Sequence, residues 1–154
     1  MEKLFQVIKK FLTTTFNKEL EELQKRNGDP EKLPQLSDKS VFFGTVDPLK
    51  IPAVSVSILP ELQTGGEGTI TDDETQSAFI VTFVFKSAKY EELIKRMCRY
   101  AECFKHSVAT DYTLSGGVEN TEIGTIRFYP DCGTAEKTMT AAEIDLTIYT
   151  SEDY

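Results

Sequence analysis

The chain has few of the side chains on which metal sites and disulfide frameworks are built. Its 154 residues include one histidine, three cysteines and no tryptophan. Cys98, Cys103 and Cys132 form no C-x-x-C pair, and an odd number of cysteines cannot all pair within one chain. A structural zinc site needs a full tetrahedral set of ligands. We therefore expect no metal site, and a reducing compartment in which the thiols stay free.

Long apolar runs and an excess of positive charge are also missing. No stretch approaches the roughly 20 apolar residues of a membrane-spanning helix, and the N-terminal sequence lacks the pattern of an export signal. The formal net charge of −8 argues against a general nucleic-acid clamp, because such a clamp needs clustered Lys and Arg. The length and the 40% hydrophobic content predict a single globular domain over 1–154.

Familiar catalytic motifs are absent as well. The sequence contains no G-x-S-x-G, G-x-G-x-x-G, H-E-x-x-H or phosphate-binding glycine loop. A Cys103–His106 nucleophile pair is the only local arrangement open to the single histidine. We predict no enzyme activity, no catalytic residue and no cofactor. A hydrolase that uses Cys103 and His106 is kept as an alternative, and it predicts that Cys103→Ser abolishes an activity.

Hydrophobic periodicity predicts two helices. Residues 3–24 carry apolar side chains at steps of three or four, which is typical of an amphipathic helix. The TTT at 13–15 is poor helix material and allows a bend or break there, and Asn27-Gly28-Asp29-Pro30 ends the helix. Residues 88–108 predict a second, long helix. Its apolar stripe consists of Tyr90, Leu93, Ile94, Met97, Ala101, Phe104 and Val108.

Strands are predicted on both sides of the long helix. Residues 29–52 form a Pro-rich connection that holds one short strand, VFFGTV. The region 53–86 predicts further strands, of which SAFIVTFVFKS is apolar on both faces and is expected to be central and covered on both sides. The region 123–150 predicts the strands IGTIRFY and EIDLTIYT, the second at a border of the sheet.

These elements together predict an α+β fold, an α/β sandwich. A small, mostly antiparallel or mixed β-sheet is expected to pack against the N-terminal helix and the long central helix.

The remaining charged and glycine clusters have ordinary structural interpretations. The acidic run Asp72-Asp73-Glu74 lacks the ligand spacing of a calcium loop and is expected to be a solvated turn. Gly65-Gly66 and Gly116-Gly117 are expected to be turn residues. The basic residues of the central region alternate with acids and favour intrahelical pairs or subunit contacts. They are Lys86, Lys89, Lys95, Arg96, Arg99 and Lys105.

The order of the segments resembles the tail terminator, or tail completion, proteins of long-tailed bacteriophages and prophages, which are also grouped with minor virion proteins. The matching features are an N-terminal helix, the proline-bounded strand IPAVSVSILPE, a glycine loop, the run FIVTFVFKSAKYEELIKRMCRYAECF, the loop TLSGGVEN and the final strand EIDLTIYT. They cover nearly the whole chain. The Pro-rich segment 29–52 departs from the family pattern.

This resemblance implies a structural protein without catalytic residues. Such a protein forms a homohexameric ring that caps the finished tail tube and joins it to the head. DNA passes through the ring without sequence-specific binding, and an acidic channel would let it slide because it repels phosphates. The implied partners are other copies of the chain, the tail tube protein and the head–tail connector, with no membrane. The implied location is the virion, after assembly in the host bacterial cytoplasm.

Contacts in such a ring are expected at sheet edges and helix ends, which would pair around the rotation axis. The loops 61–77 and 111–122 would reach the tail tube or the connector. The candidate contact residues in these loops are Glu67, Asp72, Asp73, Glu119 and Asn120. Arg96 and Arg99 are the candidates for ion pairs across subunits.

A second hypothesis comes from another class of protein. In it the chain is a small regulatory or ligand-binding domain of ferredoxin-like α+β type, which acts as a dimer and binds a metabolite between sheet and helix. This hypothesis predicts a discrete apolar pocket and a strict dimer, whereas the ring hypothesis predicts six-fold species.

Overall fold

A computed structural model of the protein describes residues 2–28, 33–44, 54–61, 70–71, 74–86, 90–131 and 139–151. The α-helices in these ranges are α1 (Glu2–Thr13), α2 (Thr15–Asn27) and α3 (Tyr90–Thr110). The strands are β1 (Val41–Phe43), β2 (Val54–Pro60), β3 (Ile70–Thr71), β4 (Glu74–Lys86), β5 (Asn120–Tyr129) and β6 (Met139–Ser151). The predicted α+β class, with a mixed sheet against an N-terminal helical region and a long central helix, is confirmed.

The strands form one sheet in the order β1-β2-β4-β6-β5, and β3 pairs with the start of β4. Among the described strands β1 and β2 are parallel, and the other pairings are antiparallel. The long strands β4 and β6 lie at the centre, so the central position predicted for SAFIVTFVFKS is confirmed. The border position predicted for EIDLTIYT is wrong, because β6 pairs with β4 on one side and with β5 on the other. The edge strands of this order are β1 and β5.

The predicted N-terminal helix is divided into α1 and α2 at Thr14, within the threonine run that allowed a break. The hydroxyls of Thr13 and Thr14 donate to the carbonyl oxygens of Lys9 and Lys10, at 3.0 and 2.6 Å. Threonine hydroxyls bound in this way often bend a helix. The helical region ends at Gly28, whose φ of 63° is the left-handed conformation that glycine adopts without strain.

The core lies between the helices and one face of the sheet. Its centre is an aromatic cluster in which Phe83 of β4 lies 5.4 Å from Phe16 of α2 and 5.6 Å from Phe104 of α3, measured between ring centroids. Tyr100 of α3 lies 6.1 Å from Phe83. All four side chains are fully buried. A single strand residue therefore contacts both helices.

The apolar stripe predicted for the long helix is largely confirmed. Leu93, Met97, Ala101, Phe104 and Val108 are buried. The prediction that Tyr90 packs on the sheet is wrong, because its side chain is 48% exposed. Tyr90 is the first residue of α3. Tyr100 and Cys103, which lie beside the predicted stripe, are buried as well. The buried face of α3 is wider than the predicted stripe because α3 packs against both the sheet and α2.

The described part of the Pro-rich connection is held against the helices by buried polar groups. Asn17 of α2 donates from Nδ2 to the carbonyl oxygen of Leu36 at 2.7 Å, and the Leu36 N–H donates to Asn17 Oδ1 at 2.8 Å. The Tyr100 hydroxyl donates to the carbonyl oxygen of Pro34. The short strand predicted at 41–46 is observed at Val41–Phe43, and 45–53 lies outside the described residues.

Candidate functional site

The described helices pack on one face of the sheet only. In β4, Phe79, Val81, Phe83 and Phe85 are fully buried on the helix side. Ile80 and Thr82, which point to the other side, are only half-buried. The prediction that this strand is covered on both sides is therefore wrong for the described residues. Among the described residues, Leu59, Ile80 and Thr82 therefore lie on a partly accessible surface of the second side.

We call the second side the open sheet face, and its residues follow from the strand register. One row of neighbouring side chains crosses β1, β2, β4 and β6 and consists of Phe42, Ser57, Thr82 and Glu143. A second row crosses β2, β4 and β6 and consists of Leu59, Ile80 and Asp145. Leu59 is 41% exposed. Towards Ser55 and Ala141 the same face is buried. Its accessible part thus combines an apolar strip with carboxylates.

A charge cluster occupies the β5–β6 side of the open sheet face. Arg127 of β5 donates from Nε to Glu143 at 2.7 Å and forms two bonds to the Asp145 carboxylate, at 2.6 and 3.1 Å. The hydrogen bonds that Arg127 donates to the Asp145 and Glu143 carboxylates raise its pKa above the ordinary value. The guanidinium is therefore held in a fixed orientation, with the bidentate geometry that arginine and carboxylate prefer.

The edge strand β5 is the longest exposed backbone edge in the described part of the sheet. An edge strand offers unpaired N–H and C=O groups to another chain. One surplus residue separates Ile123 from Ile126 relative to β6, so β5 contains a β-bulge. Past the bulge, Phe128 and Tyr129 are 47% and 41% exposed.

The arginines predicted to bind across subunits lie on α3. Arg96 forms an ion pair with Glu92 one turn away, at 2.5 Å, and its side chain is only 13% exposed. The intrahelical pairing expected for the basic residues is confirmed here, and little of Arg96 remains for a neighbouring subunit. Arg99 is half-buried on the same helix.

The other predicted contact residues divide between the two loops. Glu119 is exposed, and its backbone N–H donates to the Tyr149 carbonyl oxygen at 2.9 Å. Asn120 is the first residue of β5. Glu67, Asp72 and Asp73 lie outside the described residues.

Part of the loop 111–122 packs inward, whereas Tyr112, Ser115, Gly116 and Glu119 are exposed. Leu114 and Val118 are buried in the core. The Asp111 carboxylate accepts hydrogen bonds from the Ser115 N–H at 3.0 Å and from the Thr15 hydroxyl at 3.4 Å. The turn is therefore fastened to the junction of α1 and α2. This leaves Glu119, at the end of the turn, as the exposed predicted contact.

Gly117 in this turn gives a testable steric prediction. A Cβ on Gly117 would lie 2.8 Å from Val7 Cγ1 of α1. We expect Gly117→Ala to lower the free energy of unfolding by about 1–3 kcal/mol, as overpacking does, in urea denaturation. The double variant Gly117→Ala with Val7→Ala should lose less stability than the sum of the two single changes.

Gly116→Ala is the control. A Cβ at Gly116 meets nothing within 4 Å, so the loss of stability there comes from its φ of 82° and should not depend on Val7. Additive losses at Gly117 and Val7 would contradict the packing.

Cys103 and His106 of α3 line a small cavity of about 50 Å³ against α2. His106 Nδ1 lies 3.0 Å from Glu19 Oε2, and Cys103 Sγ lies 3.6 Å from the Phe16 carbonyl oxygen. Burial raises the pKa of the Cys103 thiol to about 12. Because the thiolate is the nucleophile, a protonated Cys103 argues against the hydrolase alternative. Among the described residues no group of three or more His, Cys, Asp or Glu side chains could hold a metal ion.

The two described cysteines should differ in reactivity. Cys98 is exposed and Cys103 is buried, and at pH 8 the raised pKa keeps Cys103 protonated. We expect iodoacetamide to alkylate Cys98 in the native protein and Cys103 only after unfolding, as measured by peptide mass spectrometry. Rapid native labelling of Cys103 would show that the cavity opens and would restore the hydrolase alternative.

A second cavity is a groove between α1 and β1 of about 460 Å³, lined by Glu2, Phe5, Gln6 and Phe43. The rings of Phe5 and Phe43 lie 4.7 Å apart between centroids. Phe43 is 47% exposed. The groove therefore presents an aromatic floor beside one amide and one carboxylate.

Comparison with known proteins adds little to this geometry. No protein-family model matches the chain, and no curated protein matches it. A solved structure aligns with 90% of this chain and 94% of its own, at 14% sequence identity and a TM-score of 0.37, and the name of that protein describes no function. A likeness at this TM-score carries no argument about fold or function. None of the helices in the described ranges is long and apolar enough to cross a membrane.

Proposed function

We propose that the chain is a non-enzymatic subunit of a homohexameric ring, a tail terminator of a bacteriophage or prophage. The segment order of the sequence supports this family, and one structural observation carries the proposal. The open sheet face leaves the apolar side chains Phe42, Leu59 and Ile80 half-buried or exposed on a rigid sheet. Exposed apolar patches of this kind are typical of protein contacts.

A ring needs two different contact patches on each copy, because its interface is head-to-tail. The open sheet face supplies the first patch. The second patch is proposed at the C-terminal end of α3, where Tyr112 is 55% exposed. Tyrosine is enriched at the centres of protein interfaces. Sheet and helix ends would then alternate around the axis.

In this proposal the ring caps the tail tube and joins it to the head–tail connector. The formal charge of −8 per copy favours free passage of DNA through the ring, because like charges repel the phosphates. The protein would act in the virion, after assembly in the host bacterial cytoplasm. Glu119, which is exposed beside this turn, is proposed to contact the tube or the connector.

Light scattering coupled to gel filtration tests the proposed ring contact. Leu59→Asp should abolish six-copy assembly, because it places a carboxylate in the apolar patch, and its circular dichroism spectrum should stay native. Phe128→Asp is the matched control, since Phe128 is similarly exposed but lies on the helix side of the edge strand. The proposal fails if Leu59→Asp assembles as the unchanged chain does.

A dimeric ligand-binding domain is the second candidate function, and the groove between α1 and β1 favours it. The aromatic floor of Phe5 and Phe43 beside Gln6 is the type of site expected between helix and sheet. A metabolite that raises the melting temperature of the unchanged chain but not of Gln6→Ala, together with a strict dimer, would select this function over the ring.

A further inference from the structure

The edge strand β5 is more acidic than its sequence alone indicates. Glu122 is exposed on the strand, and Glu119 and Asp131 are exposed on either side of it. The one cation of the strand, Arg127, is already bound to Glu143 and Asp145. The open backbone edge is therefore bordered by carboxylates that Arg127 does not neutralise.

The two sides of β5 differ in chemistry. Glu122 pairs with Thr147 and so points to the open sheet face. Its neighbour Ile123 pairs with Leu146, a buried residue of the helix side, and packs against the core. A strand added along this edge would meet an acid on one face and an apolar residue on the other, because side chains opposite one another share a face.

The bulge limits the length of a regular partner strand. With one surplus residue between Ile123 and Ile126, a regular strand in register with 120–123 is out of phase beyond the bulge, and its side chains would point to the wrong faces. Gly124 lies within the bulge, where β5 and β6 are close: a Cβ at this position would lie 3.3 Å from Asp145 Cβ. The segment 120–123 therefore accepts a short partner.

We infer that the 120–123 segment of β5 is a docking edge for a short extended peptide segment that alternates basic and apolar side chains. The basic residue pairs with Glu122, the apolar residues lie beside Ile123, and the backbone groups extend the sheet, as in other β-augmentation complexes. A second copy of β5 is a poorer occupant, because it would bring the carboxylates of both copies together. The inference goes beyond the ring and does not require it.

Peptide binding to the full chain tests this inference. The probes are fluorescein-labelled Val-Lys-Val-Lys-Val and Val-Glu-Val-Glu-Val, measured by anisotropy at low salt. We expect the lysine peptide to bind and the glutamate peptide to bind at least ten-fold more weakly. Glu122→Lys should weaken the lysine peptide about five- to ten-fold. Glu22→Lys is the matched control, since it makes the same charge change on exposed α2 and should leave binding unchanged.

Hydrogen exchange locates the peptide independently of the mutations. Amides of 120–123 should become protected when the lysine peptide binds, and those of β1, the opposite edge, should not. Equal binding of both peptides, equal effects of Glu122→Lys and Glu22→Lys, or protection elsewhere would overturn the inference. So would concentration-dependent protection of β5 without peptide, which would show that a second copy occupies the edge. Each readout is separate from the six-copy mass that tests the ring.

Discussion

Replacing Phe83 by alanine is expected to lower the free energy of unfolding by about 3–5 kcal/mol. Phe83 is fully buried and contacts Phe16, Tyr100 and Phe104, so it joins the sheet to α2 and α3 at one point. Its removal leaves a cavity among aromatic rings that rigid strands prevent from closing. Equilibrium denaturation in urea, followed by circular dichroism, measures the loss.

Phe128→Ala is the control for this truncation. Phe128 is also a phenylalanine on a strand, but it is 47% exposed, and exposed positions rarely contribute more than about 0.5 kcal/mol. Losses of equal size at Phe83 and Phe128 would show that the aromatic cluster is not the centre of the core.

Asn17→Ala is expected to lower the free energy of unfolding by about 2–3 kcal/mol, although it removes a polar side chain. Asn17 satisfies both backbone groups of Leu36, at 2.7 and 2.8 Å, and donates to the Thr13 carbonyl oxygen at 3.1 Å. Without it, a buried N–H and a buried C=O lose their partners, and each unsatisfied group costs about 1–3 kcal/mol. Urea denaturation measures this loss as well.

Hydrogen exchange distinguishes a local from a global effect at this site. The Leu36 amide should lose protection in Asn17→Ala before the strands do. Asn27→Ala is the control, because exposed Asn27 donates to a single carbonyl oxygen, that of Leu23, at the end of α2. An unchanged Leu36 amide in Asn17→Ala would show that Asn17 does not hold the connection.

The elements of this fold with a strong hydrophobic period could be predicted from the sequence. The helices follow the spacing of Ile8, Phe16, Met97 and Phe104, and the central strand follows its alternating phenylalanines. The break at Thr14 was also predictable, because threonine hydroxyls compete for helix carbonyls. These are local properties, which a single sequence carries.

The order of strands in the sheet could not be predicted in the same way. The C-terminal strand lies inside the sheet because β5, which precedes it in the chain, pairs on its outer side. Local pattern does not determine which neighbour a strand selects. Likewise, the apolar side chain of Ile80 led to the prediction of a second core layer. An apolar strip on a surface and a buried layer show the same alternation of side chains along a strand.

The candidate site was predicted less well than the fold. The contacts predicted for Arg96 and for the loop 111–122 stay predictions, and what the sequence alone did not indicate is that Arg96 pairs with Glu92 and that Asp111 of the turn bonds to Thr15. Sequence reasoning missed Leu59 and the bulge of β5. Signals for both were present: Leu59 breaks the alternation with serine in AVSVSILP, and a glycine inside IGTIRFY is typical of a bulge.

Native mass spectrometry of the unchanged chain over a range of concentrations tests the proposed ring most directly. The account predicts a species of six copies, which negative-stain electron microscopy should show as a ring with a central channel. A series that never exceeds two copies at any concentration would contradict it.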